Sequence, residues 1–175
     1  MKYPSTALIF VLSAAIWLAA CGRHEAPVPG APAAPSAAGA SQATVAPYTL
    51  PSQPLAAGGN CALDSIDGKP SNGASLKAGT TIRFAGWMGD AQGNVPTQAL
   101  LVLQGEAKSY SVGIVGGGLR PDVATALGAP GLATAGYNSD VTLADVAPGL
   151  YKVSIANTGA AQQSCDLKVS ISIVP

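Results

Sequence analysis

Histidine is almost missing from this chain of 175 residues: the single one, His24, lies outside the region patterned for folding. No Ser-His or Cys-His catalytic arrangement can therefore be assembled inside that region, and no imidazole is available there for a zinc site. Charge is also scarce, with Asp, Glu, Lys and Arg making up 10% of the chain at a formal net charge of zero. From Asn60 to Pro175, seven basic and eight acidic residues are scattered singly. That pattern supplies no basic stripe for nucleic acid or for a polybasic lipid contact. Aromatic residues account for only 5%, so surfaces for stacking a sugar or a base are few. No apolar run reaches the ~20 residues a membrane-spanning helix needs. The longest, Ala7 to Ala20, would make a helix of roughly 21 Å and matches the hydrophobic segment of a secretory leader, with Lys2 before it.

At the end of that run stands Leu18-Ala19-Ala20-Cys21, which resembles a bacterial lipobox. The small side chains of Ala19 and Ala20 suit a narrow protease cleft, and the Cys21 thiol is the atom that becomes a thioether. The resemblance implies a signal peptide over 1–20, cleavage before Cys21, and acylation of both its sulfur and its new amino group. The expected product is a lipoprotein bound to the membrane through covalent lipid. Gly22 rather than Asp after the cysteine implies, by analogy, the outer membrane, facing the periplasm or the cell surface. Two chains or more would hold it stably at ~0.8 kcal/mol per buried methylene. Export also places the remaining cysteines, Cys61 and Cys165, in an oxidising compartment, where a bond between them is the economical pairing. Two distant cysteines with no histidine between them make no metal site, and no cofactor is expected.

Residues 21–58 read as a lipidated N-terminus followed by a disordered tether. The run from Ala26 to Ala57 has no charged residue and holds seven of the fourteen prolines, which remove backbone donors while alanine buries little area. Pro32-Ala33-Ala34-Pro35 has minimal PxxP spacing, without an arginine to orient a recognition domain.

Residues 59–175 have the size and composition of one compact domain. Leu167, Val169, Ile171 and Ile173 alternate with Lys168, Ser170 and Ser172, and Tyr151, Val153 and Ile155 alternate with Lys152, Ser154 and Ala156. This period of two gives a strand one buried and one wet face. The pattern recurs at Ile82 and Phe84 and at Tyr110, Val112 and Ile114, while Leu100 to Leu103 is apolar throughout, as in a strand covered on both faces. Turn clusters such as Asp67-Gly68-Lys69-Pro70 and Ala147-Pro148-Gly149 separate the runs. The expectation is an all-β, immunoglobulin-like antiparallel sandwich of seven or eight strands. One short helix over 121–127 interrupts it, started by Pro121 and Asp122 and stopped by Gly128 and Pro130.

The segment Ala147 to Ile155 is similar to the turn and penultimate strand of immunoglobulin-like and fibronectin-like sandwiches, where a tyrosine at the position of Tyr151 returns its hydroxyl to the main chain. A longer stretch runs from Gly86-Trp87 through Arg120-Pro121-Asp122-Val123 to Ala135-Gly136-Tyr137. It resembles an immunoglobulin-like module that follows membrane-embedded glycosyltransferases of bacterial surface-polysaccharide pathways. No transferase precedes it here, so no catalytic or established binding residue is carried over.

Two readings attach to these residues. In one, Arg120 is a forked donor for a sugar hydroxyl, carboxylate or phosphate, with Asp122 beside it and Trp87 and Tyr137 as stacking faces. In the other, Asp122 serves the helix start, Arg120 pairs with a carboxylate or carbonyl, and the aromatics fill the core. Asp64 with Asp67, and Asp140 with Asp145, are the conceivable acid–base pairs of a carboxylate-dependent hydrolase, but each sits beside turn residues where Asp bonds locally. The Gly116–Gly118 run lacks the lysine of a phosphate loop. The chain is therefore expected to be non-enzymatic, presenting its domain either to an envelope glycan or to an envelope protein.

Overall fold

The computed structural model describes residues 41–159 and 162–175. Residues 1–40, on which the expected signal peptide and Cys21 fall, lie outside the described residues. Eight strands fall within the expected domain: β4 (Asn60–Ile66), β5 (Ser75–Lys77), β6 (Thr81–Gly89), β7 (Ala99–Gly105), β8 (Ser109–Ile114), β9 (Gly136–Thr142), β10 (Gly149–Asn157) and β11 (Gln163–Val174). They form an immunoglobulin-like β-sandwich: antiparallel β9-β6-β4 faces antiparallel β8-β7-β10-β11, with β5 added parallel to β11. The inward residues of both sheets make one core in which Phe84, Leu101, Val141 and Ile171 have no exposed surface, as the period-two pattern requires.

The helix α1 (Pro121–Leu127) occupies the expected residues, with Pro121 in its first turn and Gly128 ending it at φ 60°. A 3-10 helix, Pro130–Thr134, follows directly. Both lie in the connection between β8 and β9. At the opposite corner, the Tyr151 hydroxyl donates to the Ala147 carbonyl at 2.6 Å, and the Ala147 amide donates to the Tyr110 hydroxyl at 3.1 Å. The two rings meet edge to face at 5.9 Å. Tyr151 thus performs the main-chain return that its resemblance implied.

Cys61 on β4 and Cys165 on β11 are joined by a disulfide with Cα atoms 6.2 Å apart. Because β4 is an edge of one sheet and β11 lies in the other, the bond ties the two layers covalently.

The tether boundary is corrected by the structure. Residues 41–57 belong to the folded unit, contributing β1 (Ser41–Thr44), β2 (Ala46–Pro47) and β3 (Ala56–Ala57). β1 adds parallel to β9, Val45 turns into the core, and β2 adds antiparallel to β8 in the other sheet. The segment 48–55 then crosses the outer face of the larger sheet, where its residues share a cavity with Val102, Ser154 and Ala156, and β3 pairs with β11 at the far edge. Five strand spacings of ~4.8 Å make roughly 24 Å, within the ~30 Å reach of the nine peptide steps from Pro47 to Ala56. The physical reason is that the sheet edges supply the pairing groups that an uncharged, small-residue chain cannot supply for itself. The strap also accounts for the apolar run in β7, since outward-facing Val102 is only 3% exposed.

Candidate functional site

The connection leading to Arg120 is pinned to the backbone before β9. The Gly118 amide donates to the Gly136 carbonyl at 2.9 Å, the Gly136 amide returns a bond to Gly118 at 3.0 Å, and the Arg120 amide donates to Ala133 at 2.7 Å. Gly116–Gly118 is thus a tight connection laid against its neighbour. Gly136 is needed here, because a Cβ on it would lie 3.2 Å from the Cγ of Arg120 and 2.9 Å from the Gly118 carbonyl oxygen. The arginine stem therefore crosses a glycine and its head reaches β4.

There the guanidinium meets two carboxylates. Nη1 donates to Asp64 Oδ2 at 2.6 Å, Nη2 to Asp122 Oδ2 at 2.9 Å and Nε to Asp122 Oδ1 at 3.0 Å. Asp64 can reach this point because it sits at the register irregularity between Leu63 and Ser65. The hydrogen bond from Arg120 holds the Asp122 carboxyl below the ordinary value of 3.8, and the bond to Asp122 raises Arg120 in return. With a side chain 22% exposed, Arg120 joins β4 to the start of α1 through a charge-assisted network at the surface, where Asp64 and Asp122 stay 46% and 65% exposed.

The other two candidates are used in packing. Trp87 is half-buried against Val123, Leu132 and Ala135, beneath α1 and the 3-10 helix. Tyr137 is buried in the core, where its hydroxyl donates to the Ala62 carbonyl at 3.4 Å. Burial, reinforced by the charge of Asp64, pushes that hydroxyl well above its ordinary value of 10.0. The structure thus pairs Arg120 with Asp122 and adds Asp64, a partner 56 residues away. It leaves Tyr137 no open face and covers Trp87 in part. These contacts favour the structural reading of the four residues: Arg120 and Asp122 pair with each other and Arg120 with Asp64, while Trp87 and Tyr137 pack within the domain.

The carboxylate pairs considered as acid and base separate as well. Asp64 serves Arg120, while Asp67 accepts from the Arg83 amide at 2.8 Å. Asp140 takes the Arg83 guanidinium through Nε at 2.7 Å and Nη2 at 2.9 Å, as its register partner on β6. Among the described residues, no three His, Cys, Asp or Glu side chains gather as metal ligands would.

Asp122 links this network to pH. Its lowered folded-state value means that its contribution is present at neutral pH, above the unfolded value, and is lost as pH falls below 3.8 through the depressed folded value. Urea unfolding at pH 7 and pH 3 should therefore show a smaller acid-induced loss for Asp122→Asn than for the wild type. Equal losses would exclude this role.

The concave surface that the sequence did not announce lies at the end of the larger sheet. It is a groove of about 590 Å³ bordered by Gln104, Glu106, Lys108, Leu150, Lys152 and Ser170. Leu150 is 69% exposed there. Two ammonium groups, one carboxylate and an apolar floor make a mixed contact surface. These residues come from turns and outward strand positions, whose patterning is that of any wet face. Comparison with known proteins returned no family model, no curated protein and no solved structure that matches the chain.

Proposed function

We propose that this chain is a non-enzymatic envelope lipoprotein, anchored through Cys21, whose sandwich domain serves as a binding or scaffolding module for an envelope protein. The observation that carries the reading is Cys21 placed directly after Leu18-Ala19-Ala20 at the end of a short apolar leader. A cysteine pair bonded between the two sheets agrees with an oxidising compartment. The protein partner is favoured over surface polysaccharide because Trp87, Tyr137 and Arg120, the groups suited to a sugar, are engaged inside the domain. An exposed surface suited to a partner is the mixed groove beside Leu150.

Metabolic labelling with an alkyne fatty acid should mark the wild-type protein, found in the outer-membrane fraction, and should leave Cys21→Ser unlabelled and uncleaved. A native protein that keeps Met1 as its N-terminus would overturn the anchor. Crosslinking from the groove, with Leu150→Asp as the control, identifies the partner class. Glycan binding that survives Leu150→Asp and is lost in Arg120→Ala would restore the polysaccharide reading.

A further inference from the structure

The outer face of the larger sheet is an apolar track that the chain covers with its own N-terminal arm. Outward-facing Val102 and Ala156 are 3% and 2% exposed, a burial ordinary for a core and unusual for a sandwich exterior. The cover over them is residues 48–55, which with the rest of the arm carry no charge, and the track beneath them presents Gln104, Ser154 and Ser164 without an ionised group. Track and strap are matched by being neutral on both sides.

The strap is anchored at its ends and loose in the middle. β2 and β3 each contribute two residues of pairing. Between them Leu50 is 44% exposed, and a cavity of about 240 Å³ remains between strap and sheet. After β3 the chain passes Gly58 and then Gly59, which has φ 77°, before the disulfide fixes Cys61. That is a short hinge between a detachable element and a covalently closed body. An element held in this way can make the same contacts on a neighbouring copy, since its pairing surface is identical there.

We propose that the track also accepts residues 48–55 of a second copy, so that the chain self-associates by exchange of its arm. Because the exchanged and closed forms make the same contacts, the balance between them is set by the effective concentration of the chain's own arm, on the order of millimolar for a short flexible connection.

The register provides the test. Ala57 pairs with Ser164, and neighbouring strands place such partners within disulfide reach. Two full-length chains carrying Cys21→Ser are prepared, one with Ala57→Cys and the other with Ser164→Cys, so that neither can close this bond within itself. They are mixed, passed through a mild denaturant cycle, and oxidised. A linked heterodimer is expected whose share rises with concentration to about a quarter of the chains near 1 mM, since only half of the exchanged pairs bring the two cysteines together. Ala57→Cys mixed with Ala126→Cys, an exposed position on α1 away from the track, should link at least tenfold less. The double variant Ala57→Cys/Ser164→Cys should close within one chain, which checks the geometry. Heterodimer no more abundant than in the Ala126→Cys control at 1 mM, with the double variant closing normally, would overturn the proposal. Failure here leaves the anchoring of Cys21 untouched, because no step depends on it.

Discussion

Replacing Cys61 and Cys165 together by serine is expected to lower the unfolding free energy by about 4.7 kcal/mol and the Tm by roughly 15 to 20 °C. The bond closes a loop of 104 residues, so the unfolded chain loses most of its freedom to separate the two ends, and the logarithmic dependence on loop length puts this link near the top of the usual range. The native geometry adds a second cost. β4 is paired only to β6 within its sheet, and without the bond its approach to β11 rests on side-chain packing and on the short backbone pairing of β3 and Gly58 with β11. Urea unfolding of the wild type with and without reductant, beside the double variant, separates the terms. Reductant should reproduce the variant, and the variant's m-value should rise because its unfolded state exposes more surface. A loss under 1 kcal/mol in both would show that the layers are held by packing and that loop closure contributes little.

The second large effect is expected for Gly86→Ala, at about 3 kcal/mol of lost stability. Gly86 stands opposite Tyr137 across the β6–β9 pair. A methyl group there would run into the Ala62 carbonyl oxygen and come 2.7 Å from the Tyr137 hydroxyl. The same hydroxyl donates to that same carbonyl. The substitution therefore overpacks a core position and separates a buried donor from its acceptor, two penalties of about 1 to 3 kcal/mol each that share one cause. The Gly86→Ala/Tyr137→Phe double variant removes the hydroxyl from the collision, so its loss should be smaller than the sum of the singles, and the cycle reads the coupling. Gly86→Ala within 0.5 kcal/mol of the wild type would mean that β4 can shift to admit the methyl. The Gly-Trp and Gly-Tyr pairs noticed in the sequence are, on this account, one packing device.

What the sequence made legible was whatever its own periodicity could carry. Alternation in β6, β8, β10 and β11 located the strands and their buried faces, and Pro121 and Gly128 bracketed α1, because these signals act within a few residues. The arm was illegible for the opposite reason. Ser41 to Ala57 has no alternation of its own, and its strands exist because β9, β8 and β11 offer edges to a chain that would otherwise remain unpaired. The continuous apolar run of β7 did signal a covering layer, but it did not say which segment provided it.

Arg120 shows the same division. Its neighbourhood with Asp122 is local and readable, whereas Asp64 reaches it only through a register irregularity in β4 that no residue type announces. Trp87 was ambiguous for a related reason: half-burial of an outward tryptophan depends on where α1 and the 3-10 helix settle.

The position of the disulfide also fixes how a mechanical load would travel through this domain. Tension applied at Ser41 and resisted at Pro175 first peels the arm from three sheet edges, then arrives at Cys61 and passes across the sulfur atoms to Cys165, bypassing 104 residues of sandwich. Only about 30 peptide steps lie outside that shortcut, so the chain can lengthen to roughly 110 Å and no further, against about 480 Å if the bond is absent. The arm and then the end of β11 can yield while the loop closed by the sulfur atoms cannot, which makes this an extensible leash with a built-in stop.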